Sequence, residues 1–348
     1  MRQLLSVLIV GAVLSAPVVS HAQSTADFPN RPIRLVVGFA PGGATDTLAR
    51  LLTGALGQEL GQTIYVENIA GASGLLGWRN VASATPDGYT LLMAENAVAI
   101  RPGFKDMTPA FDPVTQLEAV AAVAHSPLAL CVAGNVPANN LKELVALSKS
   151  TQKKLNYASA GTSSVATLVW EVVKDGAKIE AINVPYRGGG PAMAAIIAGQ
   201  VEIIMASSQV AKPLVEDKRI KAFAVTGKQR SPALPNVPTL AEAGVKHADV
   251  DLQFWFGVFG PKGLPADVKG KLEKAIQKAL QSPAVRERLA VLDITPEFGS
   301  GAVLQTLLKN EIRNWKTFIE VYLEDYHVVP YHPGLGNFVT CDDLTWQF

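Results

Sequence analysis

Short apolar runs alternate with helical patterns along most of this chain, and this alternation restricts the fold more than any other feature. In the first third, strands are predicted at 33–37, 63–67 and 89–94, with helices at 46–60 and 74–84 between them. Strands joined by helical crossovers pair in parallel, because each crossover returns the chain to the same end of the sheet. The pattern therefore predicts an α/β fold.

The middle of the chain repeats this alternation of strands and helices. Strands are predicted at 128–133, 155–158, 181–184, 201–205 and 222–226, and helices at 141–149, 164–175 and 190–198. After the proline-rich segment 231–244, which reads as a connection, come an apolar run at 254–261 and amphipathic helices at 266–280 and 302–319. These last elements have no sheet of their own. We expect them to return to the first set, giving two α/β lobes with mainly parallel sheets and two crossings.

Length and charge agree with a two-domain protein that binds neither nucleic acid nor a membrane surface. The chain has 348 residues, of which 48% are hydrophobic, enough for two cores. Lysine and arginine number 31 against 30 aspartate and glutamate, so the net charge is +1. No run of like charges forms a basic arm or an acidic tail.

The amino terminus has the pattern of an export signal. Arg2 precedes an apolar stretch at 4–19, and Ser20-His21-Ala22 fits a cleavage site. Residues 1–22 are therefore predicted to be a signal peptide, and the mature protein is expected in the periplasm. Cys131 lies in an apolar run that favours a buried thiol, while a disulfide with Cys341 stays open.

A glycine-rich turn, GFAPGGATDTLAR, links the first predicted strand to the first helix. The first N–H groups of a helix lack partners inside it and carry positive potential, so such a turn is typical of an anion site. Gly43 is followed by Ala44 and Thr45, which excludes a Walker loop, and the glycine spacing is wrong for a dinucleotide fingerprint. Asp46 is expected to cap the helix.

Two further turns have the same chemistry. In NYASAGTSSVATL, a strand ends in small residues and a helix begins, with hydroxyl groups at Ser159, Thr162, Ser163 and Ser164. Helix ends from two lobes could hold one anion between them, although capping of the helix by Ser163 or Ser164 explains either serine equally well. The third turn, YRGGGPAM, places Arg187 beside its glycines.

Several stretches in combination resemble the tripartite tricarboxylate transporter receptors, the Bug-type periplasmic solute-binding proteins. They are DFPNRPIRLVVGFAPGGATDTLARLL, VENIAGASGLLGWRNVASATPDGYTLL, NYASAGTSS, VPYRGGGPAMAAIIAGQVEI and AVTGKQRSPALPNVPTLAEAG. The similarity covers about residues 28 to 318.

The resemblance implies the clamshell of type II periplasmic binding proteins, also called a Venus flytrap, acting as a monomer without cofactor or metal. Lobe 1 would comprise 28–123 and 245–320, and lobe 2 would comprise 124–244. The lobes would close on a small organic carboxylate, mono- or dicarboxylate, aromatic or aliphatic, for delivery to membrane transporter subunits. The site residues this implies are Phe39, Ala40, Pro41, Gly42, Gly43, Thr45, Asn96, Ser159, Gly161, Thr162, Ser163, Ser164, Arg187, Gly188 and Ser207.

Three departures from the family pattern affect these expectations. The second loop is two residues shorter than usual. Ala206, Ser207 and Ser208 stand where many relatives carry an aspartate that can meet an ammonium group, which disfavours an amine-bearing ligand. Glu95 and Asn96 replace small residues near the cleft, and an outward, solvated Glu95 carboxylate is expected.

The carboxyl end, 321–348, has no counterpart in the family. A packed surface segment, a disordered tail and a frame change in the source sequence all stay open.

An enzyme is not expected. The histidines of the mature chain occur in unrelated contexts, and no G-x-S-x-G elbow is present. Besides a transport receptor, a ligand-sensing adaptor for a membrane sensor kinase stays open, as does a hydrolase acting on a carboxylate ester.

Overall fold

The computed structural model describes residues 28–104, 111–150, 154–161, 164–245 and 252–319. Several predictions fall outside these ranges: the signal peptide at 1–22, the hydroxyl groups of Thr162 and Ser163, Cys341 and the segment 321–348.

The described chain alternates strands and helices. The strands are β1 (Ile33–Val37), β2 (Ile64–Asn68), β3 (Thr90–Glu95), β4 (Leu117–Ala133), β5 (Leu155–Ser159), β6 (Ala181–Pro185), β7 (Ile203–Ser207), β8 (Ile220–Val225), β9 (Gln253–Pro261) and β10 (Thr295–Ser300). The helices are α1 (Ala44–Leu60), α2 (Leu75–Ala82), α3 (Ala97–Ile100), α4 (Pro113–Gln116), α5 (Leu141–Ser150), α6 (Val165–Ala177), α7 (Gly189–Ile197), α8 (Ser208–Glu216), α9 (Ala266–Gln281), α10 (Pro283–Val291) and α11 (Gly301–Phe318). The α/β class is as predicted.

The strands form two groups, each with a parallel part. In the first, β1 lies between β2 and β3 and pairs in parallel with both. In the second, β5 lies between β6 and β7, again in parallel. The carboxyl ends of these strands, and the helix starts that follow them, therefore collect at one edge of each sheet.

The strand β4 belongs to both groups. Its first part, Leu117 to Pro127, pairs antiparallel with β9, and within that part it also pairs with β10. From Leu128 onward it pairs antiparallel with β7 and β8. The chain thus passes from one half of the molecule to the other along a single continuous strand. The parallel parts were predicted, but among the described strands four pairs are parallel and five, including β3 with β9, are antiparallel, so the sheets are mixed and not mainly parallel as predicted.

Both halves have apolar cores under amphipathic helices. Trp78 on α2 is 1% exposed in the first half. In the second, Trp170 on α6 stacks on Tyr157 of β5 with 4.6 Å between ring centroids. Cys131 is fully buried in β4, as predicted, and burial raises the pKa of its thiol to about 12. In the described part of the chain, every helix is too short or too polar to span a bilayer.

Candidate functional site

Four helices begin around one cavity between the two halves. The residues at the starts of α1, α6, α7 and α8 all line it: Gly43, Ser164, Gly189 and Ser207. The cavity measures about 50 Å³. Because each helix start presents N–H groups without partners in the helix and adds positive potential, the four together favour a negative charge in this cavity.

The turn before α1 contains two glycines and one hydrogen bond to the side chain of Asp46. Gly42 has a positive φ of 85°, and the helix is capped by Gly43, which has no side chain to occupy the first N–H groups. The predicted capping position of Asp46 was therefore wrong, since Asp46 lies in the first turn of α1. Its carboxylate nevertheless accepts a hydrogen bond from Gly42 N–H at 2.9 Å, so that this N–H is not free for a ligand.

Asp46 is neutralised within the protein. Its carboxylate also accepts hydrogen bonds from Arg50 Nε at 3.0 Å and from Asn68 Nδ2 at 2.9 Å. Burial by itself raises the pKa of Asp46, but the hydrogen bonds from Arg50, Gly42 and Asn68 outweigh it and bring the pKa below its ordinary value. Although Asp46 lines the cavity, its charge is compensated there.

The turn before α6 uses a serine as its cap. Ser164 Oγ accepts a hydrogen bond from Thr167 N–H at 3.2 Å, which is the capping alternative left open by the sequence. Gly161 has a φ of 115°, and a Cβ there would lie 2.6 Å from Ser73 Oγ of the other half. Ser159, at the end of β5, has a buried hydroxyl group without a hydrogen-bond partner in the described part of the chain.

The start of α7 packs directly on the turn before α1. Ala40 N–H donates a hydrogen bond to Arg187 O at 3.2 Å, across the two halves. A Cβ on Gly188 would lie 3.1 Å from Ala40 N, and a Cβ on Gly190 would overlap the Pro41 carbonyl oxygen. Only glycine allows the two halves to approach this closely.

The start of α8 brings a hydroxyl group and an amide to the same interface. Ser207 is 3% exposed and lines the cavity, and its Oγ has no hydrogen-bond partner among the described residues. Gln209 Nε2 donates to Ala44 O of α1 at 2.6 Å, joining the two halves. A buried hydroxyl group without a partner costs free energy, so Ser207 points to a ligand that would satisfy it.

Glu95 faces the cavity, contrary to the outward orientation expected from the sequence. Its side chain is 3% exposed and lines the cavity, where Oε2 accepts a hydrogen bond from Ala97 N–H at 2.9 Å. Burial raises the pKa of Glu95 to about 7, against the smaller lowering effect of that hydrogen bond. The neighbouring Asn96 instead holds β9, since its Oδ1 accepts from Trp255 N–H at 3.0 Å.

The rest of the wall is apolar, and among the described lining residues none is lysine, arginine or histidine. Met193, Met205, Val210 and Phe254 form much of this surface. Sequence reasoning did not identify these four, because an apolar residue facing a ligand has the same pattern as one facing the core.

A second, outer cavity of about 300 Å³ lies beside the first and shares Phe39 and Ala160 with it. Gly161 and Arg187 line this outer space and do not line the inner one. Positive potential in the inner cavity therefore comes from helix starts, because Arg187 lines only the second cavity.

The structure brings most of the predicted site residues together in three positions. On the inner cavity lie Phe39, Gly43, Thr45, Ser164 and Ser207. At the contact between the halves or at the outer cavity lie Ala40, Pro41, Gly42, Gly161, Arg187 and Gly188. Ser159 is buried at the end of β5, and Asn96 is occupied with β9. In the described ranges no three His, Cys, Asp or Glu side chains form a metal-binding group.

Comparisons with family models and with known proteins identify the same family. The model of the tripartite tricarboxylate transporter family receptor matches residues 48–322. The protein BugT of Bordetella pertussis is 32% identical over 318 residues, which are 90% of this chain and 96% of BugT.

Two solved structures show a bound carboxylate in proteins of similar fold. MatC from Rhodopseudomonas palustris with bound malate is 33% identical with a TM-score of 0.77, covering 84% of this chain and 100% of MatC. A protein from R. palustris with adipate is 29% identical with a TM-score of 0.80, covering 84% of this chain and 98% of that protein. The expected clamshell fold is thereby confirmed.

The carboxyl end matches a different kind of protein. The catalytic domain of the ring hydroxylating alpha subunit matches residues 310–347. In addition, a putrescine 2-hydroxylase from Ralstonia nicotianae is 89% identical to this chain over 35 residues, which are 10% of that enzyme. Because this match covers only a tenth of the hydroxylase, it is no basis for assigning the hydroxylase activity to this protein.

Proposed function

The chain belongs to the tripartite tricarboxylate transporter family of receptors, and from that premise we propose that it captures a small organic carboxylate in the periplasm and delivers it to a membrane transporter of that type. The observation that carries the proposal is the convergence of four helix starts on one cavity between the halves. A carboxylate is the simplest ligand that such donors hold.

We assign the two lobes to residues 28–123 with 245–320 and to residues 124–244. The change of partners along β4, which lies between Pro127 and Leu128, supports a hinge close to the first of these boundaries. Contacts such as Ala40 with Arg187 and Gln209 with Ala44 belong to the closed form. Capture would therefore proceed by hinge closure, in which the ligand completes the contact between the lobes.

The carboxylate would be held mainly by backbone N–H groups at the starts of α1 and α7. Gly43 and Gly189 leave these N–H groups uncovered, and Thr45 and Ser207 add hydroxyl groups. The apolar wall formed by Met193, Met205 and Phe254 suits the carbon chain of the ligand. Malate and adipate, held by the two R. palustris relatives, define the range of sizes to test first.

Thermal denaturation with a panel of mono- and dicarboxylates tests this proposal. A ligand present at about 100 times its dissociation constant adds roughly 2.7 kcal/mol to the free energy of unfolding. We expect malate, adipate or a related carboxylate to raise the melting temperature, whereas adipamide, which has the shape of adipate without its charge, should not. A melting temperature that stays unchanged across all carboxylates would contradict the proposal.

Delivery to a transporter is tested in the cell of origin. Deletion of the gene should abolish uptake of the carboxylate that stabilises the protein. Normal uptake combined with a lost transcriptional response to that carboxylate would favour the sensing adaptor instead.

A further inference from the structure

Glu95 is a carboxyl group in a cavity that attracts anions. It lies at the carboxyl end of β3, is 3% exposed, and lines the cavity together with the starts of α1, α7 and α8. Its Oε2 accepts a hydrogen bond from Ala97 N–H at 2.9 Å. The other oxygen, Oε1, is left as the atom that can carry a proton.

No cation among the described lining residues compensates Glu95. On α1, Asp46 is already paired with Arg50 at 3.0 Å. On β1, Arg34 pairs with Glu67 at 3.0 Å, and β9 contains no titratable residue.

The remaining charged groups around β3 belong to α2, to the turn after α3 and to α11. They are Arg79, Arg101 and, on α11, Lys309, Glu311, Arg313 and Lys316, of which Glu311 accepts a hydrogen bond from Trp315 Nε1 at 2.7 Å. None of these groups contributes to the pKa of Glu95, which is set by burial and by Ala97 N–H. Glu95 therefore meets an incoming anion without a local countercharge.

Two negative charges in one enclosed cavity repel strongly, because the interior screens them poorly. Because the helix starts favour the ionised form of the ligand, Glu95 is the group that becomes protonated. A protonated carboxyl group then becomes a hydrogen-bond donor, and it can bind the same anion that an ionised one would repel.

We propose that Glu95 is a specificity-determining residue that binds the ligand in its protonated form, donating a hydrogen bond from Oε1 to a ligand oxygen, so that capture in mildly alkaline solution takes up one proton from solvent. This inference rests on the proposed capture of a carboxylate. It adds to that proposal the protonation state of the complex and a preference for ligands with an acceptor oxygen at the Glu95 end.

The pH dependence of ligand affinity follows from the raised pKa of Glu95. Below the pKa of Glu95 in the free protein, about 7, the proton is already present and affinity does not change with pH. Above it, each capture must bind a proton, and affinity falls up to tenfold per pH unit until the higher pKa of the complex is reached. An ammonium-bearing ligand would behave in the opposite way, because it pairs with the ionised carboxylate.

Calorimetric titration with malate and with adipate measures directly how many protons the protein takes up on binding. At about pH 8, titrations in two buffers of different ionisation enthalpy, HEPES and Tris, should report uptake of close to one proton per ligand, and affinity should be lower than at about pH 6. Glu95→Gln keeps the volume and a donor N–H. We expect it to bind at both pH values without proton uptake. Glu216→Gln, an exposed glutamate on α8, is the control and should behave as the unmodified protein.

The outcomes separate this inference from the proposed function. Binding without proton uptake, or with affinity that rises with pH, overturns the role of Glu95 and leaves carboxylate capture standing. A third probe, 4-aminobutyrate, carries an ammonium group. If the unmodified protein binds 4-aminobutyrate and Glu95→Gln does not, Glu95 pairs with an ammonium group instead. Absence of binding to malate and to adipate at about pH 6, where Glu95 already holds its proton, counts against the proposed capture itself.

Discussion

Two serines at the cavity use their hydroxyl groups differently. Ser164 caps α6 by accepting from Thr167 N–H, so its hydroxyl group works within the fold. Ser207 stands at the start of α8, and its hydroxyl group has no partner among the described residues. From the sequence alone both were candidates for ligand contact, because serine favours helix starts in either role.

Substitution of each serine by alanine separates the two roles. Ser164→Ala should lower the free energy of unfolding by about 1 kcal/mol, because a helix cap is lost. Ser207→Ala should not lower that free energy, and should raise it slightly because an unpaired buried hydroxyl group is removed, while carboxylate binding weakens by roughly 1.5–3 kcal/mol, the range for a hydrogen bond to a charged group. Urea denaturation and calorimetry measure the two quantities. An equal loss of stability in both variants would contradict a ligand role for Ser207.

The orientation of Glu95 shows what a strand pattern cannot tell. The sequence placed this residue near the cleft, and a charged side chain ordinarily faces solvent. In β3, however, every residue after the first is buried, because the strand lies between β1 and β9 under helices. When both faces of a strand are covered, alternation no longer distinguishes inside from outside.

At the scale of elements, local signals predicted what local interactions determine. The strand β1 was predicted with the bounds that it has, and the starts of α1, α6 and α7 were each found to within two residues, since they follow glycine or serine turns. The strand β4 is 17 residues long, but only its second part was predicted. Its first part is defined by pairing with β9 and β10, more than a hundred residues away, which no local pattern contains.

Elements with unfavourable composition were also missed. Pro213 lies inside α8, and β10 contains a proline and a glycine in six residues. Both residue types weaken the corresponding propensity. Tertiary contacts compensate in each case: Gln209 of α8 binds α1, and β10 pairs with β4.

Neighbouring glycines in α7 provide a matched test of closure. A Cβ at Gly190 would overlap Pro41 O of the other half, whereas a Cβ at Gly189 would lie 3.6 Å from Gly43 Cα, an ordinary contact. Gly190→Ala should therefore keep the lobes apart, and Gly189→Ala should not. Small-angle scattering with saturating carboxylate should show compaction of the unmodified protein and of Gly189→Ala only. Equal compaction of Gly190→Ala would show that this contact does not limit closure.

For the whole molecule, the two-lobe architecture was predicted from a chain length typical of two domains, from two successive α/β sets and from final elements without a sheet of their own. The contact between the lobes was not predicted, since it depends on single backbone atoms such as Pro41 O and Gly189 N. The segment 321–348 was recognised as foreign to the family. The match of residues 310–347 to the catalytic domain of a ring hydroxylating alpha subunit overlaps this segment.

The central claim is that helix starts, and not charged side chains, hold the carboxylate. Gly43 is the residue that caps the start of α1, and a Cβ at this position would lie 3.5 Å from Gly189 N at the start of α7. The larger side chain of Gly43→Val would therefore cover the N–H groups of both helices. Gly54→Val is the matched control, because Gly54 lies on the same helix with nothing within 4 Å of its Cβ position.

Calorimetric titration of these two variants with the carboxylate that stabilises the unmodified protein is the most direct measurement. We expect Gly43→Val to lose binding by at least 100-fold, about 2.7 kcal/mol, with a native circular dichroism spectrum, and Gly54→Val to retain it. Arg187→Ala, at the outer cavity, should lose less than Gly43→Val. Unchanged affinity in a folded Gly43→Val, or a larger loss in Arg187→Ala, would contradict the account and place the anion elsewhere.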